Sequence, residues 1–219
     1  MNRDNFAGYI IKSMPTILLI RHCENDYVKT RRLAGRLPDI HLNKNGQAQA
    51  LALAEKLAGA PIKAIYSSPL ERAMETAHPI AAALHLEIIP CDGLMEINFG
   101  EWQGKTLKSL QRLKIWKTVQ NSPSLMRFPG GESFADAQKR IINQIEELSK
   151  QHGSEDIFIC VSHGDVIKLA IAYYIGLPLD CFQRLHISPG SLNVLHISDN
   201  RSGLFTLNYD PSFSFFTSQ

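Results

Sequence analysis

Short apolar runs alternate along the chain with longer segments in which apolar residues recur at helical spacing. The apolar runs predict strands at 16–20, 62–68, 86–90, 156–162, 191–197 and 203–209. The helical spacing predicts helices over about 43–58, from Pro69 to a stop or kink at Pro79, and over 106–119, 133–151 and 166–175. Strands that alternate with helices are typical of an α/β fold. We therefore expect a three-layer sandwich, with a mostly parallel central sheet and helices on both faces.

The last two strands are joined by Asp199-Asn200-Arg201-Ser202, which predicts an antiparallel hairpin on the sheet edge. We expect a single domain over 15–210, preceded by an exposed extension at 1–14 and followed by a tail at 211–219. Within the domain, the segment at about 97–132 is expected to form a cap. The tail is apolar and is expected to pack either on the domain or on a second subunit. The sequence is therefore compatible with a monomer and with a homodimer.

Three of the predicted strands run into charged or titratable side chains. The first ends at Arg21 and His22, the second is followed by Arg72 in the first turn of a helix, and a later one ends at His163. Because the carboxyl ends of parallel strands lie along one sheet edge, we expect these side chains to share a pocket. Two arginines can clamp a phosphate, and a histidine among cations stays neutral with a lone pair free to attack. The pattern predicts a phosphoryl-transfer site in which His22 is the nucleophile.

Two loops carry further candidate groups for this pocket. The loop at 25–43 carries a dense set of cations: Lys29, Arg31, Arg32 and Arg36. Composition alone gives equal weight to a solvated loop and to a rim that attracts an anion. The second loop carries Glu96 between the apolar residues Met95 and Ile97. Apolar surroundings raise the pKa of a carboxyl group, which suits a general acid, although an exposed loop glutamate is the commoner case.

Composition narrows the classes of function. The 219 residues, 44% hydrophobic and 20% charged, are enough for one sizeable globular domain. A net charge of +2 does not indicate nucleic-acid binding. No apolar run approaches the ~18 residues that a membrane span needs. Residues 1–14 do not have the pattern of a signal peptide. We expect a cytoplasmic protein whose partner is a small phosphorylated metabolite, and neither nucleic acid nor a membrane.

The four cysteines lie far apart and form no CxxC pair: Cys23, Cys91, Cys160 and Cys181. Neither a zinc site nor a disulfide framework is expected, and Cys160 in its apolar run is expected to be a core thiol. No metal cluster is visible in the sequence, so we expect no metal and no cofactor, with the cations balancing the phosphoryl charge. Cys23 is set aside as the nucleophile of a cysteine phosphatase, because such enzymes need an arginine a short fixed distance on, where this chain has Lys29.

Five blocks of the chain carry a family resemblance: 19–24 (LIRHCE), 67–77 (SSPLERAMETA), 95–104 (MEINFGEWQG), 129–133 (PGGES) and 161–164 (VSHG). Together they resemble the histidine phosphatase superfamily, which is also called phosphoglycerate mutase-like. The blocks occur in the expected order over roughly residues 16–200, and several blocks are far more specific than any one.

The resemblance implies that His22 is the phosphohistidine nucleophile and that Glu96 is the acid. It also implies that Arg21, Arg72 and His163 hold the phosphoryl group. Further candidates for binding the phosphate or the substrate are Gly164, Asn25 and Arg36. One departure concerns the position after the nucleophile, where the usual glycine is Cys23. A side chain there is expected to crowd or reshape the pocket and to alter specificity.

Within the superfamily the choice is between a phosphatase and a mutase. The loop after the nucleophile lacks the Trp and Asn typical of cofactor-dependent mutases. The segment at 99–104 (FGEWQG) is more similar to the phosphatases, including broad-specificity and α-ribazole-phosphate types. The resemblance therefore favours a metal-independent phosphomonoester hydrolase. A phosphoglycerate mutase-type phosphomutase is the alternative, and a phospho-ligand sensor without turnover is a third hypothesis.

Overall fold

The computed structural model describes residues 13–198 and 202–210. Its strands are β1 (Ser13–Arg21), β2 (Ile62–Ser67), β3 (Ile88–Pro90), β4 (Ile157–Ser162), β5 (Leu192–Ser198) and β6 (Gly203–Tyr209). Its α-helices are α1 (Asp26–Lys29), α2 (Lys44–Leu57), α3 (Glu71–Leu84), α4 (Leu107–Leu110), α5 (Trp116–Asn121), α6 (Phe134–Ser149) and α7 (Gly164–Tyr174). Short 3₁₀ turns lie at Asp92–Leu94, Gly100–Trp102, Pro123–Leu125 and Leu179–Arg184.

Within the described ranges the strands form one six-stranded mixed sheet in the order β3-β2-β4-β1-β5-β6. The first four strands of the chain run parallel, whereas β5 is antiparallel to β1 and β6 is antiparallel to β5. The predicted parallel sheet with an antiparallel edge hairpin is therefore confirmed. Strands β2, β4 and β1 are neighbours, so their carboxyl ends lie side by side along one edge of the sheet.

The side chains of β1 alternate between two hydrophobic cores, one on each face of the sheet. Ile17 and Leu19 pack with residues of α6 and α7, while Leu18 and Ile20 pack with residues of α2 and α3. Helices therefore cover both faces, which confirms the three-layer arrangement. This double burial also explains the continuous apolar runs at 17–20 in β1 and at 157–161 in β4.

The helix expected over 106–119 is in fact two short helices, α4 and α5. Its apolar residues recur every third position, so each lies about 60° away from the previous one around a helix of 3.6 residues per turn. A single helix would place Leu107 and Trp116 on opposite sides. The chain instead turns between them, which buries Leu110 at 1% exposure and leaves Leu113 42% exposed.

Helix α3 also departs from the expectation at both ends. It begins at Glu71 rather than at Pro69, and it continues through Pro79 to Leu84. A proline inside a helix costs about 3 kcal/mol. The apolar side of α3 is buried in the core that it shares with α2, and this burial offsets the cost.

The expected domain boundaries lie close to the ends of the described ranges. β1 begins at Ser13, so the last two residues of the expected extension belong to the sheet. The rest of the extension, the hairpin turn at 199–201 and the tail at 211–219 lie outside the described residues. No helix within the described ranges combines the length and the apolar character required to cross a membrane. The domain limits, the cytoplasmic location and the oligomeric state stay predictions.

The segment expected to be a cap is closed at its base by backbone hydrogen bonds. The N–H of Glu101 donates to the carbonyl of Pro129 at 2.9 Å, and the N–H of Glu132 donates to the carbonyl of Asn98 at 2.8 Å. Gly100 permits this close approach, because a Cβ there would overlap the carbonyl oxygen of Pro129. The cap segment therefore leaves the body of the protein and returns to it at almost the same point.

Candidate active site

A cavity of about 210 Å³ lies at the sheet edge where β1, β2 and β4 end. Its lining includes most of the residues that the sequence places at a phosphoryl site: Arg21, His22, Asn25, Arg72, Glu96 and Gly164. The remaining two, His163 and Arg36, are found elsewhere and are described below. The predicted convergence of strand ends is therefore present in the structure.

His22 follows the last residue of β1 and is only 3% exposed. Its Nδ1 lies 2.8 Å from the backbone carbonyl oxygen of Cys23, which can only accept, so Nδ1 carries the proton. Nε2 is then the ring nitrogen with a free lone pair. Burial, followed by the charges of Arg72 and Arg21, holds the pKa of His22 well below its usual range. The ring is thus a neutral imidazole that can attack through Nε2.

The two arginines carry buried N–H groups that no described residue pairs. Nη2 of Arg72 donates to the carbonyl of Gly35 at 2.7 Å and to Nδ1 of His163 at 3.2 Å. Nη1 of Arg21 donates to the carbonyl of Ile187 at 2.6 Å. Nε of both arginines and Nη1 of Arg72 are buried and find no acceptor in the described part of the chain. Buried donors are normally satisfied, and charged N–H groups at one cavity favour an anion with several oxygens.

His163 is fully buried beside His22, with the two ring centroids 5.2 Å apart. Because its Nδ1 accepts from Arg72, its Nε2 carries the proton and donates to Oγ of Ser68 at 2.8 Å. His163 is absent from the described residues that line the cavity. The structure shows His163 orienting Arg72, and its contact with a phosphoryl group stays a prediction.

Glu96 lies in the loop at 93–98, here called the Glu96 loop, and it lines the same cavity as His22. Its Oε1 accepts from the backbone N–H of Ile97 at 2.9 Å. Burial, together with the negative charge of Asp165, raises the pKa of Glu96 to about 7 against the opposing charge of Arg72. A carboxyl group with a pKa near neutrality can both give and take a proton.

Asn25 and Gly164 contribute to the cavity in different ways. Asn25 is fully buried, and its Oδ1 caps α1 by accepting from the N–H of Val28 at 2.9 Å. Its Nδ2 is buried and has no acceptor among the described residues, so it offers a ligand one more donor. Gly164 begins α7, and a Cβ there would lie 3.1 Å from the guanidinium carbon of Arg21. Glycine therefore leaves room for the Arg21 side chain.

The cations of the loop at 25–43 do not all face the cavity. Arg31 and Arg32 are exposed and line it, whereas Lys29 is exposed and is not part of its described lining. For the two arginines, this placement favours the interpretation that they form a rim that attracts an anion, and not the interpretation that they are only solvated loop residues. Among residues 13–198 and 202–210, no group of three or more His, Cys, Asp or Glu side chains is placed to hold a metal ion.

Arg36 is not where the sequence places it. Instead of lining the cavity, its Nε donates to the backbone carbonyl of Glu96 at 2.8 Å. Its Nη2 lies 3.0 Å from Oε1 of Glu132. The expected phosphate contact of Arg36 is therefore not seen, because a carboxylate of the protein takes the place of the anion.

Cys23 does not crowd the pocket. Its side chain is fully buried in the core shared by the sheet, α2 and α3, and its Sγ lies 3.4 Å from the point where a Cβ on Gly190 would stand. Burial raises the pKa of this thiol to about 12, which leaves it protonated and unsuited to attack. The expected effect on pocket shape is wrong, because the side chain faces the core. All four cysteines are free, and Cys160 is confirmed as a buried core thiol.

A second cavity of about 250 Å³, here called the side chamber, adjoins the first. The two cavities share Leu33, Phe99, Leu107, Asp165 and Lys168. The rest of the side chamber is largely aromatic and includes Trp102, Trp116, Phe128 and Phe134. Asp165 and Lys168 form an ion pair of 3.0 Å at the junction. If the phosphoryl group of a phosphate ester lay at the arginines, its alcohol portion would thus have both charged and apolar surroundings.

Sequence reasoning missed two groups that hold the site together. Ser68 was expected only to cap a helix, yet its hydroxyl accepts from His163. The carbonyl of Gly35 accepts from Arg72 across the cavity wall. The signal for Ser68 was available, since it directly follows β2 at the same sheet edge as the two histidines. A backbone carbonyl in a loop leaves no comparable trace in a sequence.

The sequence of this chain is similar to those of known proteins over most of its length. The profile of the histidine phosphatase superfamily, branch 1, matches residues 17–210. Phosphoserine phosphatase 1 of Hydrogenobacter thermophilus is 31% identical over 197 residues, which are 89% of this chain and 92% of the relative. A 2,3-bisphosphoglycerate-dependent phosphoglycerate mutase of Thermoplasma acidophilum is 28% identical over 192 residues, which are 86% of this chain and 90% of the relative.

A solved structure gives the same result in three dimensions. The phosphoserine phosphatase of Entamoeba histolytica, in complex with 3-phosphoglyceric acid, superposes with a TM-score of 0.80 at 29% identity. The match covers 90% of this chain and 98% of that one. The profile match extends from β1, which leads into His22, to the end of the sheet, and it includes every residue described in the cavity lining. The chain belongs to the histidine phosphatase superfamily.

Proposed function

We propose that this protein is a metal-independent phosphomonoester hydrolase that acts on a small phosphorylated metabolite through a phosphohistidine on His22. The proposal is carried by the buried N–H groups of Arg21 and Arg72, which find no acceptor among the described residues and lie at the cavity of His22 and Glu96. An anion site, a neutral nucleophile and a proton donor thus share one space. The names of the phosphoserine phosphatases to which the chain is similar support hydrolysis.

In the first step, Nε2 of His22 forms a bond to phosphorus while the bond from phosphorus to the leaving oxygen breaks. Arg21 and Arg72 hold the phosphoryl oxygens and balance their charge. The electron pair of the broken bond passes to the leaving oxygen, which takes the proton of Glu96. The products of this step are the free alcohol, a phosphohistidine and an ionised Glu96.

In the second step, a water molecule attacks the phosphohistidine. The Glu96 carboxylate takes a proton from this water as its oxygen bonds to phosphorus. The bond from phosphorus to nitrogen breaks, its electron pair returns to Nε2 of His22, and inorganic phosphate leaves. A pKa of about 7 allows Glu96 to act as the acid in one step and as the base in the other.

A phosphomutase of the phosphoglycerate mutase type is the second candidate, and the similarity to the Thermoplasma acidophilum mutase favours it. It would form the same phosphohistidine but pass the phosphoryl group to a second hydroxyl of the bound molecule instead of to water. Arg31 and Arg32 at the rim would suit a second anionic group. A sensor without turnover is the third hypothesis, and the presence of both His22 and Glu96 in the cavity argues against it.

The test is a steady-state assay of phosphate release in the presence of EDTA. The panel contains phosphoserine, 3-phosphoglycerate, 2,3-bisphosphoglycerate and p-nitrophenyl phosphate. We expect release from at least one monoester that EDTA does not reduce. Interconversion of the phosphoglycerates without release would establish the mutase, and silence in both assays would favour the sensor.

A variant pair tests the nucleophile. We expect His22→Ala to abolish both turnover and the phosphoenzyme that is trapped with a radiolabelled substrate. The matched control is His78→Ala, since His78 is exposed on α3. We expect the control to retain both signals. Hydrolysis by His22→Ala at the wild-type rate would remove the central claim.

A further inference from the structure

The proposed general acid stands on a loop with little regular structure of its own. The Glu96 loop is helical only where the 3₁₀ turn Asp92–Leu94 runs into it. The Glu96 carboxylate accepts from Ile97 of the same loop, so the course of the loop backbone sets its distance from His22. A displacement of about 1 Å in a reacting group can cost about 10²-fold in rate. Whatever holds this loop therefore bears directly on catalysis.

Arg140 of α6 is bound to the loop through its backbone carbonyls. Nη1 donates to the carbonyls of Gly93 and Met95, both at 2.8 Å, and Nη2 donates to the carbonyl of Glu96 at 3.4 Å. Both carboxylate oxygens of Glu132 hold the guanidinium in turn, with Nε to Oε1 at 2.9 Å and Nη2 to Oε2 at 3.1 Å. A bidentate pair of this kind fixes orientation as well as distance.

Arg36 binds the same loop from another part of the chain. Its Nε donates to the carbonyl of Glu96, and its Nη2 lies 3.0 Å from Oε1 of Glu132. Oε2 of Glu132 also accepts from the backbone N–H of Asn98 at 2.9 Å. These contacts hold backbone groups before, at and after Glu96.

The surroundings of this network strengthen its contacts. Side-chain exposure is 28% for Arg36, 20% for Glu132 and 20% for Arg140. The exposed pair of Arg127 and Asp136 has 64% and 51%, so solvent screens the network less than that pair. Although burial raises the pKa of Glu132, the bonds from Arg140 and from the N–H of Asn98 outweigh it and hold that pKa below its usual range. Glu132 is therefore ionised at neutral pH.

We propose that Glu132, Arg140 and Arg36 form a positioning network that keeps the Glu96 carboxyl within reach of the leaving oxygen. None of the three is among the described residues that line the catalytic cavity, so they act through the loop backbone and not on the substrate. The inference rests on the proposed role of Glu96 as general acid. It gives a role to the 129–133 block of the sequence, to which no chemistry had been attached, and it explains the placement of Arg36.

A positioning network and a purely structural one differ in what their loss does to the reaction. Loss of a structural network lowers stability and slows every substrate alike. Loss of a positioning network weakens the transfer of the Glu96 proton, so the penalty depends on the leaving group. p-Nitrophenolate leaves readily without a proton, whereas an alkoxide needs one. kcat/KM is the quantity to compare, because it reports the steps up to formation of the phosphoenzyme.

The experiment compares kcat/KM for p-nitrophenyl phosphate and for the best alkyl phosphate of the panel. We expect Glu132→Gln to lose about 10- to 100-fold on the alkyl ester and less than about threefold on the aryl ester. Arg36→Lys keeps the charge but loses the fork of donors, so we expect a smaller loss with the same preference. The matched control is Arg127→Gln, because Arg127 forms an exposed ion pair with Asp136 close to the same block. We expect it to stay within about twofold on both esters.

The decisive variant places Glu132→Gln in a Glu96→Gln background. If the network acts through Glu96, the second substitution adds less than about threefold to the loss on the alkyl ester. Two results would overturn the inference. In one, Glu132→Gln slows both esters equally. In the other, it slows the alkyl ester as much in the Glu96→Gln background as in the wild type. If Glu96→Gln itself slows both esters alike, the role proposed for Glu96 as general acid fails, and this failure is distinct from a failure of the positioning network. Thermal unfolding identifies a variant that has lost its fold, and Arg36→Lys then decides the question.

Discussion

The Glu96 carboxyl couples the stability of the fold to pH, and the substitution Glu96→Gln isolates that coupling. Burial, together with the charge of Asp165, raises the pKa of Glu96 from an ordinary 4.5 to about 7 in the folded chain. Between these two values the folded chain keeps a proton that the unfolded chain has released. The free energy of unfolding therefore falls as pH rises through this window, and the loss is complete above about pH 7.

The size of the effect follows from the two pKa values. A tenfold change in the acid equilibrium corresponds to about 1.4 kcal/mol, so the rise from 4.5 to about 7 removes about 3 kcal/mol of stability at pH 8. The carboxyl is half-buried and faces a cavity, so screening by solvent makes this value an upper limit. Glutamine has no such proton to lose. Glu96→Gln should match the wild type near pH 4.5 and exceed its stability at pH 8.

The assay is urea unfolding at 25 °C between pH 4.5 and 8, in buffers without phosphate, because an anion bound at the arginines would add stability of its own. The difference in unfolding free energy between Glu96→Gln and the wild type should grow by about 2 to 3 kcal/mol across this range. The exposed Glu101 provides the control, and Glu101→Gln should give a constant difference. A constant difference for Glu96→Gln as well would refute the raised pKa and the physical case for a general acid.

Three further predictions concern activity and stability. For an alkyl ester, kcat/KM should fall above about pH 7 as Glu96 loses its proton, and a flat profile to pH 9 would contradict this. Arg72→Ala removes buried charged donors, so the inhibition constant for phosphate should rise about 10- to 100-fold; an unchanged constant would place Arg72 outside the site. Cys23→Gly should lose about 2 kcal/mol in urea unfolding and keep the order of substrates, whereas a changed order would return Cys23 to the pocket.

The sheet and the chemistry at its edge could be predicted because both depend on local patterns. β1 and β4 are buried on both faces and therefore appear as continuous apolar runs. Parallel pairing then brings the residues that follow these runs together, whatever lies between them in the chain. His22 and His163, which directly follow β1 and β4, lie side by side for this reason, although a long stretch of sequence separates them.

The errors arose where a local pattern does not record the partner of a side chain. Arg36 is one cation among several in its loop, and composition cannot distinguish a bound anion from the distant carboxylate of Glu132. Cys23 directly follows the nucleophile, but its direction depends on how the chain turns after β1, and that turn sends the thiol into the core. Leu113 fits the three-residue spacing of the expected helix, yet the turn of the chain between α4 and α5 leaves it 42% exposed.

The closed base of the cap segment makes one continuous stretch of chain responsible for most of the aromatic lining of the side chamber. The hydrogen bond from Glu101 to Pro129 fastens the two ends of the segment between them. That segment supplies the aromatic wall of the side chamber, including Trp102, Trp116 and Phe128. Substitutions in this segment that face the side chamber would therefore alter its volume and polarity, while His22 and Arg72 at the sheet edge stay unchanged.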